Sequence, residues 1–255
     1  MAGLIRKDMY CLRNILKTFL IVTTCVIVLS VLFIVSARCG NIAKGIAEME
    51  AEGELGEELF YSFFQVPIWL TLFIPSAFLS MIVECFKEDR KAGFAKMMFS
   101  MPLSDQKIVG SRYLSCLLFA LLGLAGSFLA AVFVSLASDT FSLQKLTGYV
   151  FCFSGALLIY MSFVMFMLYL LGAEKADLIQ CIPFVVLLVA AVIAIQSRLS
   201  ALSETETDVF FSNMLNAVLD FMTKKFGLIF LIALGCMALS FLGSCAVLKQ
   251  RKGGI

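Results

Sequence analysis

The chain has 255 residues, of which 61% are hydrophobic, with a mean hydropathy of +0.99 and a net charge of +2. Soluble domains are only about 45–50% apolar, so this composition excludes an ordinary soluble fold, and the small net charge argues against a nucleic-acid partner. The chain has no histidine, which excludes a His-based catalytic triad. Its nine cysteines are scattered without C-x-x-C pairs, so their spacing predicts neither a metal site nor a disulfide framework.

Six apolar segments have, or nearly have, the roughly 20 residues that a helix needs to cross the ~30 Å hydrocarbon core of a bilayer. They are 18–37, 59–83, 114–137, 146–171, 178–196 and 226–248. None carries a central charged residue, and the fifth contains Pro183, which predicts a kink or tilt. We therefore predict an all-α polytopic membrane protein with six transmembrane helices, forming one domain over residues 1–255.

The distribution of basic residues predicts the orientation. Fourteen of the 20 Lys and Arg residues fall on the inner side if the N-terminus is cytoplasmic. Cytoplasmic loops of membrane proteins carry an excess of these residues, so we predict that both termini are cytoplasmic. Residues 84–113 then form a cytoplasmic loop between spans two and three, and residues 197–225 form an extracellular segment.

The N-terminal segment 1–17 is basic and amphipathic. Its apolar residues recur at helical spacing, and its charged residues lie largely on the other side. The apolar set is Leu4, Ile5, Met9, Leu12, Ile15 and Leu16, and the charged set is Arg6, Lys7, Asp8 and Arg13. Such a helix entering a membrane span is typical of an interfacial elbow helix on the anionic inner leaflet. An ordinary positively charged flank of the first span is the alternative.

The inner loop carries a second amphipathic pattern. Phe94, Met97, Met98 and Met101 follow i, i+3, i+4, i+7 spacing after a charged turn at 88–91. Pro102 predicts the end of this helix, because the residue before a proline is pushed out of the α region. The Met/Phe face suits docking into a groove of a partner protein. Alternatively, the face lies on the bilayer and the charges are solvated.

Two further segments are predicted to lie outside. Residues 208–226 have one apolar face but are too polar to span, so we expect them at the outer interface or in a re-entrant dip. The first outer loop has six Glu residues between positions 48 and 58. They could attract cationic cargo or metal ions, but a solvated acidic face is the favoured interpretation.

The sequence lacks the residues that chemistry would need. It has no G-x-x-x-x-G-K-[ST] run to cradle a nucleotide phosphate, and no ordered acid–base pair. The spans also lack the buried carboxylates of ion-coupled transporters, so we expect the energy for any transport to come from elsewhere. The pairs Gly123/Ser127 and Ser240/Ser244 have small-xxx-small spacing, which predicts close helix packing and is weak evidence for an oligomer interface.

Three runs of residues match a known family. They are LIRKDMYCLR at 4–13, E-D-R-K-A-G-F followed by S-M-P-L-S between 88 and 104, and K-I-V-G-S-R-Y-L at 107–114. In this order, with a span and an outer loop between them, they resemble the permease subunits of type-two ATP-binding-cassette (ABC) exporters. The likeness is greatest to small bacterial permeases that export amphipathic cytolytic or antimicrobial peptides. In topology it covers the whole chain, but in residues only about 5–16 and 84–114.

The resemblance implies roles for particular residues. A coupling helix in the inner loop would insert into a groove of a separate ATPase subunit, and the N-terminal segment would form the elbow helix. The coupling residues would be Glu88, Asp89, Arg90, Lys91, Gly93, Phe94, Met97 and Met98, and the elbow residues Ile5, Met9 and Leu12. The outer segment 197–225 would form short helices that cap the exit.

The resemblance also implies partners and a location. Two permease copies, either a homodimer or a pair of paralogues, would work with two ABC ATPase subunits in the bacterial cytoplasmic membrane, in contact with its lipids. The ATPase subunits would bind ATP and Mg²⁺, whereas this chain would bind no cofactor and would not be an enzyme. A hypothesis of another class is a non-transporting membrane scaffold or sensor whose inner loop docks a regulatory protein. An intramembrane enzyme is disfavoured, because no nucleophile or paired carboxylates occur at depth.

Overall fold

The computed structural model describes residues 2–39, 56–94, 104–137, 142–183, 185–186, 189 and 204–253. Within these residues all regular structure is helical, and there is no strand. The helices are α1 (Ala2–Cys11), α2 (Arg13–Cys39), α3 (Gly56–Lys91), α4 (Asp105–Ala137), α5 (Leu143–Leu171) and α6 (Glu204–Gly253). A 3-10 turn, Ala173–Lys175, follows α5 and leads into helical residues 176–183.

Five of these helices contain a stretch long and apolar enough to cross a membrane. The stretches are Arg13–Ser36, Val66–Lys91, Asp105–Ala137, Leu143–Leu171 and Lys224–Gln250. They coincide with predicted spans one, two, three, four and six, which confirms an all-helical multi-pass membrane protein. Part of the fifth predicted span, 178–196, lies outside the described residues.

Helix α1 is separated from α2 by a single residue, Leu12. The helical hydrogen-bond pattern continues through this join, because the Leu12 amide donates to the Asp8 carbonyl at 3.1 Å and the Leu16 amide donates to the Leu12 carbonyl at 2.7 Å. The Leu12 side chain is fully buried in the main hydrophobic cluster, and Met9 packs against the same cluster. The predicted apolar face of the N-terminal segment therefore packs against the protein.

Helix α3 continues past the predicted end of span two at Val83 and ends at Lys91. It accommodates two prolines within the helix, and each removes one backbone donor. The carbonyl that Pro75 leaves without its helical partner is that of Thr71, and Ser127 of α4 donates to it at 3.1 Å. A side chain on one helix thus satisfies the backbone of its neighbour, which a proline inside hydrocarbon requires.

Helix α6 corrects one expectation. The extracellular segment 197–225 was predicted to be separate from the last span, but from Glu204 onward it is continuous with that span in a helix of 50 residues. The physical reason is the absence of helix breakers, since residues 204–225 contain neither glycine nor proline. At 1.5 Å per residue the helix is roughly 75 Å long.

The contacts between helices define their directions. Helices α3 and α4 are antiparallel, with Thr71 beside Ser127 and Asp89 beside Arg112. Helices α5 and α6 are parallel: the Phe151 and Phe226 ring centroids are 5.9 Å apart, and Phe166 lies against Gly243. The end of α5 and the start of the paired part of α6 are therefore at opposite ends of the bundle.

Candidate functional site

Several parts of the chain meet at one end of the bundle, which we call the charged end. It comprises α1, the last turns of α3, the first turns of α4, residues 172–177 and the last turns of α6. Across it, the Lys87 ammonium lies 2.7 Å from an Asp177 carboxylate oxygen, and the Arg90 guanidinium lies 3.0 Å from Glu174. The two predicted inner connections, 84–113 and 172–177, are thus on the same face of the molecule.

Four charged residues pack together at the charged end, three of them buried and Lys7 half-buried. This buried charge cluster comprises Lys7 and Asp8 of α1, Asp89 of α3 and Arg112 of α4. Asp8 is 1% exposed, Arg112 3% and Asp89 8%. Two positive and two negative groups give the cluster no net charge, which is what allows charged side chains to be buried.

The cluster is organised around Asp8 and Arg112. Arg112 Nη1 lies 2.8 Å from Asp8 Oδ1, and its Nη2 contacts Asp89 Oδ2. The second Asp8 oxygen accepts a hydrogen bond of 3.0 Å from Ser115 Oγ. Lys7 Nζ donates to Asp89 Oδ1 at 2.5 Å and lies 3.4 Å from Asp8. Asp8 therefore joins α1 to α4, and Asp89 joins α3 to both α1 and α4.

Aromatic rings border the cluster on two sides. Lys7 Nζ lies 3.8 Å from the centre of the Phe94 ring, and the Arg112 guanidinium lies 5.3 Å from the centre of the Phe86 ring. Both distances are within the range of cation–π attraction. Burial lowers the pKa of Lys7, as does repulsion from Arg112, whereas Asp8 raises it. Like Asp8, Asp89 favours the charged ammonium form of Lys7, because its carboxylate is in close contact with Lys7 Nζ.

The last turn of α3 has two different faces. Asp89 points into the buried charge cluster, whereas Arg90 and Lys91 are exposed. Glu88 pairs with Lys91 at 2.7 Å on the solvent side. The helix ends at Lys91, and Gly93, two residues later, has a φ of +66°, which favours glycine. One short turn thus combines a solvent-facing charged surface with a buried anchor.

The residues that the sequence indicated divide into three groups. Asp89 is buried in the cluster, and Phe94 is half-buried beside Lys7. Glu88, Arg90, Lys91 and Gly93 lie on the solvent side of the helix end. Met97 and Met98 lie outside the described residues. Of the elbow residues, Leu12 is buried, Met9 packs against the same cluster, and Ile5 is half-buried.

A second cluster of polar side chains joins α4 to α5 and α6. The Tyr113 hydroxyl lies 2.5 Å from Ser240 Oγ and 3.0 Å from Ser244 Oγ. Ser240 Oγ also donates to the Ser162 carbonyl of α5 at 2.5 Å. We call Tyr113, Ser162, Ser240 and Ser244 the hydroxyl cluster. It shows that the small-xxx-small pair in α6 packs against helices of the same chain.

The sequence did not indicate Asp8, Arg112 or Tyr113 as site residues. Lys7 and Asp8 were assigned to the polar face of the N-terminal helix, and Arg112 was an inner-side charge within the run K-I-V-G-S-R-Y-L. Arg112 did carry a signal, because it is the one charged residue between Ile108 and Ala137. A lone charge within a long apolar run has to find a partner or reach water.

No metal site accompanies these acidic groups. Among the residues that the structure describes, no three His, Cys, Asp or Glu side chains are grouped to hold a metal ion. The buried carboxylates are instead occupied by Lys7, Arg112 and Ser115. The site therefore holds α1, α3 and α4 together and presents exposed charges at the end of α3.

The charged end belongs to a helical bundle in which five of the described helices are long and apolar enough to cross a membrane. A family model described as "ABC-2 family transporter protein" matches residues 59–249. The chain belongs to the ABC-2 transporter family, as the membrane component of an ABC transporter, and this membership implies association with ABC ATPase subunits. No match was found among curated proteins or among solved structures.

Proposed function

We propose that this chain is the permease subunit of an ATP-driven exporter in the bacterial cytoplasmic membrane, with its charged end in the cytoplasm. Two copies, or one copy and a paralogue, form the translocation path, and two ATPase subunits hold ATP and Mg²⁺. This chain binds no cofactor of its own. The observation that carries the proposal is the two-faced end of α3, where exposed charges surround a buried Asp89 that is joined to α1 and α4.

The proposed topology has six crossings and two cytoplasmic termini. Five spans are described, and α5 and α6 run parallel, so the chain between Leu171 and the paired part of α6 has to return from one end of the bundle to the other. The fifth apolar segment, 178–196, is long enough to do so. The contact of Tyr113 with Ser244 supports the same count, because it puts the last turns of α6 at the charged end.

We also propose that α1 acts as an elbow helix at the inner leaflet. Asp8 of α1 and Leu12, which joins α1 to α2, are buried and face the protein. Arg6 of α1 is exposed, as are Arg13 and Lys17 at the start of α2. Basic side chains beside a membrane span are attracted to anionic lipid headgroups. In this arrangement α1 has lipid headgroups on one side and the buried charge cluster on the other.

The lining of a cavity supports the proposal that the cargo is hydrophobic or amphipathic. This cavity encloses about 280 Å³ between α3, α4, α5 and α6. Its lining is apolar except for Ser154, which is 4% exposed and whose hydroxyl has no hydrogen-bond partner in the described part of the chain. Leu118 and Leu121 at its edge are exposed along α4. We propose that the cargo is an amphipathic cytolytic or antimicrobial peptide, or another hydrophobic compound.

The coupling role is tested by placing a charge on the proposed docking face. The chain is co-expressed with a candidate ABC ATPase subunit, and Phe94→Asp and Met97→Asp are compared with the wild type. We expect co-purified ATPase to fall by about tenfold or more, since loss of an interface anchor typically costs 2 kcal/mol or more. ATP-dependent uptake of a fluorescent amphipathic peptide into inside-out vesicles should fall in parallel.

Lys249→Asp is the matched control, because Lys249 is exposed on the last turns of α6 at the same end of the molecule. It should leave both measurements unchanged. Equal ATPase binding and equal uptake in the Phe94 and Met97 variants would overturn the coupling assignment. If the wild-type complex forms but transports neither the peptide nor an apolar dye, the non-transporting scaffold is the better function.

A further inference from the structure

We propose that Arg112 and Tyr113 are positioning residues that form a branch point in α4. A displacement of the last turn of α3 reaches α1 on one side of this point, and α5 and α6 on the other. The inference rests on the proposed function and extends it, because it names the residues that carry motion away from the coupling segment and the helices that receive it.

The first arm runs through the buried charge cluster. Arg112 is 3% exposed and contacts Asp89 of α3 and Asp8 of α1 at the same time. Separating a buried ion from its partner leaves an uncompensated charge in a low-dielectric site, which is strongly unfavourable. When Asp89 moves, Arg112 and α4 therefore follow, and α1 follows through Asp8.

The second arm runs through the hydroxyl cluster. The Tyr113 hydroxyl contacts Ser240 and Ser244 of α6. Its ring packs edge-on against Phe241, with centroids 5.6 Å apart and an interplanar angle of 80°. Ser240 in turn donates to the Ser162 carbonyl of α5 at 2.5 Å. Hydrogen bonds and packed rings of this kind are the physical carriers of energetic coupling between helices.

Arg112 and Tyr113 can form a branch point because they are consecutive residues of the same helix. Successive side chains of an α-helix point about 100° apart, so Arg112 and Tyr113 face different neighbours while sharing one rigid backbone. Both are buried, as is Ser111 before them. The run S-R-Y, which sequence similarity singled out without assigning it a role, thus forms the point where the two arms meet.

Two variants cut the arms separately without changing the net charge of the cluster. Tyr113→Phe removes the hydroxyl but keeps the ring against Phe241. Lys7→Met combined with Asp8→Asn removes one charge of each sign and leaves the Asp89–Arg112 pair intact. Tyr10→Phe is the control, because Tyr10 is 74% exposed. Thermal unfolding of each variant shows how far the fold itself is affected.

The test measures hydrogen exchange in the permease–ATPase complex, reconstituted in nanodiscs, with and without ATP. We expect the wild type to show ATP-dependent changes in α1 and in the last turns of α6. Tyr113→Phe should lose the α6 change and keep the α1 change, and the Lys7/Asp8 variant should do the reverse. Peptide transported per ATP hydrolysed should fall about fivefold or more in each, the lower end of typical coupling between sites.

A purely structural role predicts a different pattern. In that case both variants would behave like Tyr10→Phe, or both would lose the α1 and α6 changes together in proportion to their loss of thermal stability, and either result would overturn the branch point. A wild-type complex that forms and responds to ATP without changes in α1 and α6 would overturn this inference alone. Absence of any complex with the ATPase would overturn the proposed function as well.

Discussion

Asp89 and Glu88 are neighbours in the chain, yet their side chains have opposite surroundings. Asp89 is 8% exposed and contacts Lys7 and Arg112, whereas Glu88 pairs with Lys91 at the surface. In the sequence the two residues look alike, because both are acidic and both lie in the same charged turn, 88–91. Their difference arises from the rotation of about 100° per residue along α3 and from the helices that pack against one side of it.

Removing the guanidinium of the cluster should destabilise the protein strongly. Arg112→Met leaves Asp8 and Asp89 with only Lys7, so one buried negative charge lacks compensation. Breaking a buried pair in this way costs about 3–5 kcal/mol. Unfolding in detergent by a chemical denaturant measures the loss of free energy of unfolding.

An exposed pair on the same helix end provides the comparison. Lys91→Met removes an ion pair whose side chains are 69% and 42% exposed, and such surface pairs contribute only about 0–1 kcal/mol. If Arg112→Met costs no more than Lys91→Met, the buried charge cluster does not hold α1, α3 and α4 together as inferred.

Helices α3 and α4 approach closely where one carries a proline and the other has small residues. A Cβ atom on Gly123 would lie 2.9 Å from Pro75 Cα, which is a backbone atom of α3. One turn along, Ser127 donates to the carbonyl that Pro75 leaves without its helical partner. The small-xxx-small pair in α4 therefore has two different tasks, close approach and backbone capping.

Adding one methyl group at this contact should separate the helices. Gly123→Ala forces α3 away from α4, and overpacking of this kind costs about 1–3 kcal/mol. We expect a lower midpoint of thermal unfolding in detergent. Gly235→Ala in α6 is the control, because nothing lies within 4 Å of its added Cβ and alanine favours a helix. An unchanged midpoint for Gly123→Ala would mean that this contact is looser than described.

The molecule as a whole has two unlike ends. The charged end holds α1, the last turns of α3, the first turns of α4, residues 172–177 and the last turns of α6. The N-terminus of α5 lies at the opposite end, where Ser142 caps the helix by accepting from the Lys145 amide at 3.4 Å. Because α5 and α6 are parallel, both helices run from this opposite end towards the charged end, and the chain between them has to cross back once.

The topology is tested by labelling single cysteines in a cysteine-free variant. Ser142→Cys, Gln106→Cys and Lys249→Cys are all at exposed positions. A membrane-impermeant maleimide added to intact cells should label only Ser142→Cys, and it should label all three after permeabilisation. Labelling of Gln106→Cys from outside would reverse the proposed orientation, and opposite behaviour of Gln106→Cys and Lys249→Cys would contradict an even number of crossings.

The sequence alone predicted a helical multi-pass membrane protein, because the hydrocarbon core of a bilayer constrains each crossing segment separately. Each crossing needs its own run of about 20 apolar residues, and five of the six predicted runs lie within described helices that satisfy it. Amphipathic spacing likewise grouped Leu12 and Met9 on one apolar face, but it assigned that face to the bilayer surface, whereas Leu12 is buried in the protein and Met9 packs against the same cluster. The continuity of α6 was missed, because polarity suggested a boundary where no helix breaker exists.

The pairing of distant charges could not be read from the chain. Lys7 and Asp89 are separated by 82 positions, and Asp8 and Ser115 by 107. Whether such residues meet depends on the sum of many weak packing contacts between helices, among them Gly123 against Pro75 and Gly243 against Phe166. Hydropathy and charge balance thus settled what kind of protein this is, whereas helix packing determined which charges are buried and joined, because burial is a property of neighbours and not of single segments.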